Sequence, residues 1–203
     1  MTKTCRGWMV LMAVALLFPA LAEARKGKGA PTAPGEYVDW NDEMDQIEIV
    51  ETFDLDDYQR LVVTELATED TPLPEPDDNS YRHVVAVLED VESSLIEGLR
   101  KELSRLKVEA GESGGEGALL LRGRVVEMDP GSRAARYWAS FGAGATRAKI
   151  SAEVVDAATG TVFFRFTQER RSGVGVGGGK YDKLMHRSVR AIGKDLGAGL
   201  EQF

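Results

Sequence analysis

Three stretches of period-two alternation constrain this chain more than any other feature. In Ala118–Met128, Leu119, Leu121, Gly123 and Val125 share one face, and Leu120, Arg122, Arg124 and Val126 share the other. Ala148, Ile150, Ala152 and Val154 alternate with Arg147, Lys149, Ser151 and Glu153. Val162, Phe164 and Phe166 alternate with Phe163, Arg165 and Thr167. Such alternation marks strands with one buried and one wet face. Turn chemistry separates them. Asp129-Pro130-Gly131-Ser132 suits a type II turn, in which proline presets φ and glycine accepts φ > 0, and residues 156–160 form a second turn.

An apolar sheet face needs a cover. Val84, Leu88, Val91, Leu95, Leu99, Leu103 and Leu106 recur at spacings of three and four. This stripe predicts one long helix, capped by Asn79 or Ser80 and stopped by the glycine-rich residues 111–117. Met185, Val189, Ile192, Leu196 and Leu200 predict a second helix from about Asp182. Gly193 and Gly197 lie four apart beside that stripe, which fits close packing on the sheet. Lys194, Asp195 and Glu201 exclude a membrane span there. Phe203 follows helical rather than alternating residues, which argues against the end of an outer-membrane barrel.

Tyr58–Leu66 is rich in β-formers and reads as a further strand, with Gln46–Phe53 as another candidate. The expected fold is a two-layer α+β sandwich of order β-α-β-β-β-α. It has an antiparallel sheet of about four strands with two helices on one face.

The N-terminus reads as an export signal. Lys3 and Arg6 precede an uncharged, mostly apolar run from Trp8 to Leu21, and Ala22-Glu23-Ala24 supplies a small-x-small cleavage pattern before Arg25. The run is short for a permanent span. Cys5, the only cysteine, precedes the apolar run, whereas a lipoprotein signal needs one at its end. The mature chain is therefore expected to be soluble, unlipidated, free of disulfides and periplasmic. The organisation expected is a signal over 1–24, a basic linker and acidic lead-in over 25–57, partly disordered, and a single domain over 58–203.

Charge and composition exclude several functions. Lys and Arg number 25 against 33 Asp and Glu, a net charge of −8, which disfavours nucleic acid as a partner. Residues 36–80 hold 16 acids and one base, Arg60. That stretch reads as a solvated face or as a docking surface. The Asp54–Asp57 run lacks the glycine and terminal glutamate of a calcium loop. Gly173, Gly175 and Gly178 spell G-x-G-x-x-G before Lys180, but only one helix follows, and a dinucleotide site needs a second parallel strand and an acid about 20 residues on. The phosphate-loop pattern fails at Val174 and Tyr181. His83 and His186 have no metal-ligand spacing. No serine lies in G-x-S-x-G. No catalytic residue, metal or cofactor is therefore expected.

Residues 130–138 (PGSRAARYW), 141–144 (FGAG) and 155–160 (VDAATG) together resemble domain-of-unknown-function family 4410, a group of bacterial exported proteins and lipoproteins. The family pattern runs P-G-[NS]-R-x-x-R-[YF], then G-F-G-x-G, then a strand ending in D-x-x-T-G. Here Ser140 replaces a frequent glycine, and the lipoprotein cysteine of many members is missing. The resemblance extends over 58–203. It implies the fold and an exported address, and the family has no established activity.

Arg133, Arg136, Tyr137, Trp138, Phe141, Gly142 and Gly144 combine the residue types of binding hot spots with glycines that allow close backbone approach. They are the candidate partner-binding residues. The function expected is non-enzymatic binding of another envelope component, a protein or polymer. The alternatives are a small-molecule hydrolase and a self-assembling envelope protein that forms homo-oligomers.

Overall fold

The computed structural model describes residues 30–131, 145–172 and 180–203. Its elements are β1 (Gly35–Trp40), β2 (Met44–Ile49), a 3₁₀ turn (Leu55–Asp57), β3 (Arg60–Val63), α1 (Tyr81–Leu88), α2 (Val91–Glu102), β4 (Lys107–Ala110), β5 (Ala118–Asp129), β6 (Thr146–Asp156), β7 (Val162–Ser172) and α3 (Tyr181–Leu200). The strands form one mixed sheet of order β1-β2-β7-β6-β5-β3-β4.

The α+β class is as expected, and the architecture corrects the expectation of four antiparallel strands under two helices. Seven strands and three helices are present among the described residues, and β3 pairs in parallel with both β4 and β5. The central meander β5-β6-β7 is antiparallel, with Leu121 opposite Val154, and Val154 opposite Phe164. There the alternation had only one solution, because a shift of one residue would turn every apolar side chain to water.

The additional strands come from weakly patterned segments. β1 and β2 arise within the acidic stretch. Met44, Ile47 and Ile49 turn inward, while Glu36 and Glu48 pair side by side on the outer face. Asp39, Asn41 and Asp42 adopt positive φ around the tight β1–β2 turn, a conformation that Asn and Asp tolerate best. Gln168, fully buried on β7, holds this hairpin. Its amide donates to the Glu43 carbonyl (2.9 Å) and to Asp195 on α3 (3.1 Å), and its oxygen accepts the Asp45 N–H (2.8 Å). Arg170 pairs with Asp45 (3.1 Å) and Asp195 (2.6 Å). Burial pushes the Asp195 carboxyl above the usual carboxylate range, against the pull of Arg170.

The single long helix predicted from the leucine stripe is two helices and a loop. α1 ends at Leu88, α2 begins at Val91, and Leu103 leaves the helix with extended backbone. Leu106 lies just before β4 and is buried, as are Val84, Val91, Leu95, Leu99 and Leu103, while Leu88 at the break is half-buried. Spacing records which residues are buried and is blind to a two-residue break that redirects the axis.

From the end of β4 the chain must return across β3 to start β5 on its other side. Residues 111–117 make that crossing and bury Val62, which points away from the helices. A Cβ on Gly114 would stand 2.6 Å from Ala157 Cβ and 2.8 Å from Ala118 Cβ, so glycine lets this strap lie flat.

α3 carries its expected stripe inward; Met185, Val189, Ile192, Leu196 and Leu200 are all buried. Gly193 and Gly197 face α2 instead of the sheet. A Cβ on Gly98 would overlap the Arg190 carbonyl oxygen and lie 2.9 Å from Gly193 Cα, and one on Gly193 would overlap the Leu95 carbonyl oxygen. The two backbones touch where these glycines meet. Ser94–His186 (2.7 Å) and Arg190–Glu97 (2.9 Å) flank the crossing.

Two predictions follow from these contacts. Gly98→Ala forces α2 from α3 and lowers the urea-unfolding free energy by about 1–3 kcal/mol, the usual cost of overpacking. Asp156 accepts the N–H groups of Ala158 and Thr159 (2.7 and 2.8 Å) and the Tyr58 hydroxyl (2.9 Å). These bonds, the Thr159 N–H foremost, hold its carboxyl below the usual range. Their stabilisation is present above the unfolded-state aspartate value and fades as pH falls through the lower folded value. Asp156→Ala should lower stability by about 1–3 kcal/mol at neutral pH, with the gap from wild type closing in strong acid.

Candidate binding face

α1 and α3 cover one face of the sheet, and the other face of β2, β7, β6 and β5 carries charge. The register draws it into rows. Glu48 on β2 lies beside Arg165 on β7, then Glu153 on β6, then Arg122 on β5. Consecutive members pair at 3.2, 3.3 and 2.8 Å. Glu48 foremost holds the Arg165 guanidinium above its ordinary value. The next row is neutral over three strands, with Gln46, Thr167 and Ser151 leading to Arg124, and the Thr167 hydroxyl donates to Ser151 (3.3 Å).

A second charged group lies toward the far end of the meander. Arg147 pairs with Glu127 (2.9 Å) and Glu169 (3.3 Å), and Glu169 also pairs with Arg171 (2.8 Å). Between the two groups an open cleft of about 500 Å³ is lined by Asp45, Gln46, Lys149, Thr167, Glu169 and Arg171 together with Arg170. Lys149 is in no ion pair among the described residues. The face thus presents donors and acceptors of both signs on a rigid support, which suits a polar polymer or the rim of a protein interface.

The predicted site residues Arg133, Arg136, Tyr137, Trp138, Phe141, Gly142 and Gly144 lie outside the described residues. Their points of attachment are described. Gly131 has φ +66°, and its N–H donates to Asp129 (2.7 Å), as the turn chemistry required. Asp129 is opposite Arg147, and Thr146 is opposite Ser172. Gly131 and Ala145, which flank residues 132–144 in sequence, therefore stand beside the Arg147 charge group. The G-x-G-x-x-G stretch, residues 173–179, also lies outside the described residues, and its start at Ser172 shares this end of the sheet.

The two histidines sit on the helices, away from this face. His83 Nδ1 is 2.6 Å from Asp182 Oδ1, which ties α1 to α3, and His186 Nδ1 is 2.7 Å from the buried Ser94 hydroxyl. Among the described residues no three His, Cys, Asp or Glu side chains group as metal ligands, and no helix is long and apolar enough to cross a membrane. Sequence reasoning placed Arg122, Lys149, Glu153 and Arg165 on wet strand faces and missed that they form a site. Only the cross-strand register shows which of them meet.

Glu153→Ala leaves Arg122 and Arg165 without their shared partner. Because these side chains are half exposed, the loss of stability should stay within about 1 kcal/mol in urea titration. The variant thereby changes the charge of the face without unfolding it.

No curated protein matches the chain. Among solved structures it is similar to the PelC dodecamer from Paraburkholderia phytofirmans, at 16% identity and TM-score 0.47, over 75% of this chain and 96% of that one. It is also similar to a Xanthomonas campestris protein of the DUF330 family model, at 12% identity and TM-score 0.43, over 71% and 86%. A third is a putative neuraminyllactose-binding hemagglutinin homolog from Helicobacter pylori, at 10% identity and TM-score 0.33, over 70% and 80%. At such identities and TM-scores neither the assembly nor the ligand of a neighbour passes to this chain. A family model, by contrast, matches residues 58–176, across the strands and turns that carry the sequence motifs, and the chain belongs to that family, described as Domain of unknown function (DUF4410).

Proposed function

We propose that this protein is exported to the periplasm, is not an enzyme, and binds another component of the cell envelope. The observation that carries the reading is the sheet face that no helix covers among the described residues, with its charge row Glu48–Arg165–Glu153–Arg122 and with Gly131 and Ala145, which flank the Arg- and aromatic-rich residues 132–144 in sequence, at one margin. A rigid, two-signed, shallow surface recognises a large polar partner better than it encloses a small substrate. The apolar run from Trp8 to Leu21 and the small-x-small pattern at 22–24 supply the address.

Two measurements test the reading. N-terminal sequencing of the protein recovered from a bacterial envelope fraction should begin at Arg25. Crosslinking capture from the same fraction should yield a partner with the wild type. That partner should be lost with Arg136→Ala/Trp138→Ala and weakened with Arg122→Glu/Arg165→Glu, each variant first shown to be folded. Identical capture by all three would remove both surfaces from the binding reading.

A further inference from the structure

The meander β5-β6-β7 pairs its cations, with two exceptions. Arg122, Arg147, Arg165, Arg170 and Arg171 each reach a carboxylate. Arg124 on β5 and Lys149 on β6 reach none among the described residues. In register Lys149 stands between Glu127 and Glu169, yet both carboxylates turn to Arg147 (2.9 and 3.3 Å). The register of β5 shifts between Val125 and Glu127, next to Lys149, and such a bulge re-aims the side chains around it.

The two exceptions flank one place. Arg124 lies opposite Ser151, and Lys149 precedes Ser151 by two residues on the same strand face. Ser151 lies opposite Thr167, and Thr167 opposite Gln46. Among the described residues the side chains of this row make one hydrogen bond, from Thr167 to Ser151 (3.3 Å), which leaves hydroxyl and amide groups open to a ligand. Gln46, Thr167 and Lys149 also line the open cleft of about 500 Å³. Arg82, Lys183 and Arg187 on the helices are likewise without ion pairs. Arg124 and Lys149 differ in standing on paired strands, where the ladder holds them at diagonal positions beside uncharged hydrogen-bonding side chains. Like charges so placed repel, and an anion between them removes that cost.

The surroundings narrow the anion. Arg124 offers a fork of donors that fits a carboxylate at two points, and Lys149 offers a point charge. Ser151, Thr167 and Gln46 suit the hydroxyl groups of a sugar. Glu153 and Glu169 border the place and repel a chain charged at every unit, as nucleic acid is. The row Gln46–Thr167–Ser151–Arg124 has no aromatic or aliphatic side chain to receive those of a peptide. We infer that Arg124 and Lys149, with Ser151, Thr167 and Gln46, hold a carboxylate and the adjoining hydroxyls of an acidic polysaccharide. The inference rests on the reading of the open sheet face as a binding surface and names the chemistry of its partner.

Calorimetric titration of the mature protein with hyaluronan oligosaccharides, which carry a carboxylate on alternate rings, tests this. Wild type should bind them, more weakly as salt rises. It should bind neither the same oligosaccharides reduced at the carboxyl group nor an oligoglutamate of equal charge. Arg124→Gln and Lys149→Gln should each weaken binding about tenfold, the size expected for one charge-assisted contact. Their urea midpoints should match wild type, because neither side chain has a partner to lose. Arg187→Gln, which removes an exposed cation from α3, should leave binding unchanged. Absence of binding to hyaluronan, equal binding of the reduced form or of oligoglutamate, or an equal loss with Arg187→Gln overturns the inference. Envelope capture that persists in Arg124→Gln/Lys149→Gln beside any of those results leaves the proposed binding function standing.

Discussion

The contact of α2 with α3 at Gly98 and Gly193 sets the geometry of the helical layer. Two backbones that touch leave no room for a methyl group between them, so both positions must be glycine. The close approach lets α3 lay Met185, Val189, Ile192 and Leu196 on β6 and β7 while its flank receives α2. Burying each such side chain contributes about 1.5–3 kcal/mol, so a shift of the helix pair would forfeit several contributions together. The position of α2 in turn sets where the chain re-enters the sheet as β4, and hence the parallel pairing of β3.

The two faces of the sheet answer to different physics. On the helix side, burial rewards apolar volume and tolerates polar groups only when they are satisfied, as Gln168 is by three hydrogen bonds. On the open side the strands are held by the same backbone ladder, and the side chains are free to be charged. Opposite charges in the row Glu48–Arg165–Glu153–Arg122 support the ladder, whereas Glu36 opposite Glu48 and Arg147 opposite Arg171 oppose it, the second pair offset by Glu169, which both arginines reach.

Much of the core was legible in the sequence. The period-two stretches became β5, β6 and β7 with the faces expected, and Met185 to Leu200 became α3. The turns at Gly131 and Gly160 have the positive φ that their glycines allowed. The leucine stripe was right about burial and wrong about continuity, because Leu103 and Leu106 are as buried outside a helix as Leu95 and Leu99 are inside one. Gly193 and Gly197 signalled close packing, but the surface they approach is α2, and a spacing of four cannot name the partner. β1 escaped notice because Gly35, Glu36 and Asp39 are poor strand formers, held by pairing with β2 instead of by propensity.

The sequence by itself determined which side chains go inside, where the chain must turn, the family to which it belongs and the charge available to the surface. These are local properties, written in spacings of two, three and four residues. Tertiary structure alone decided that β3 runs parallel to its neighbours, that residues 111–117 strap across it, and that Glu48, Arg165, Glu153 and Arg122 form one row. The order of strands and their register follow from which packing of helices and sheet buries the whole apolar set at once. That is a property of the assembled core, and no window of sequence contains it.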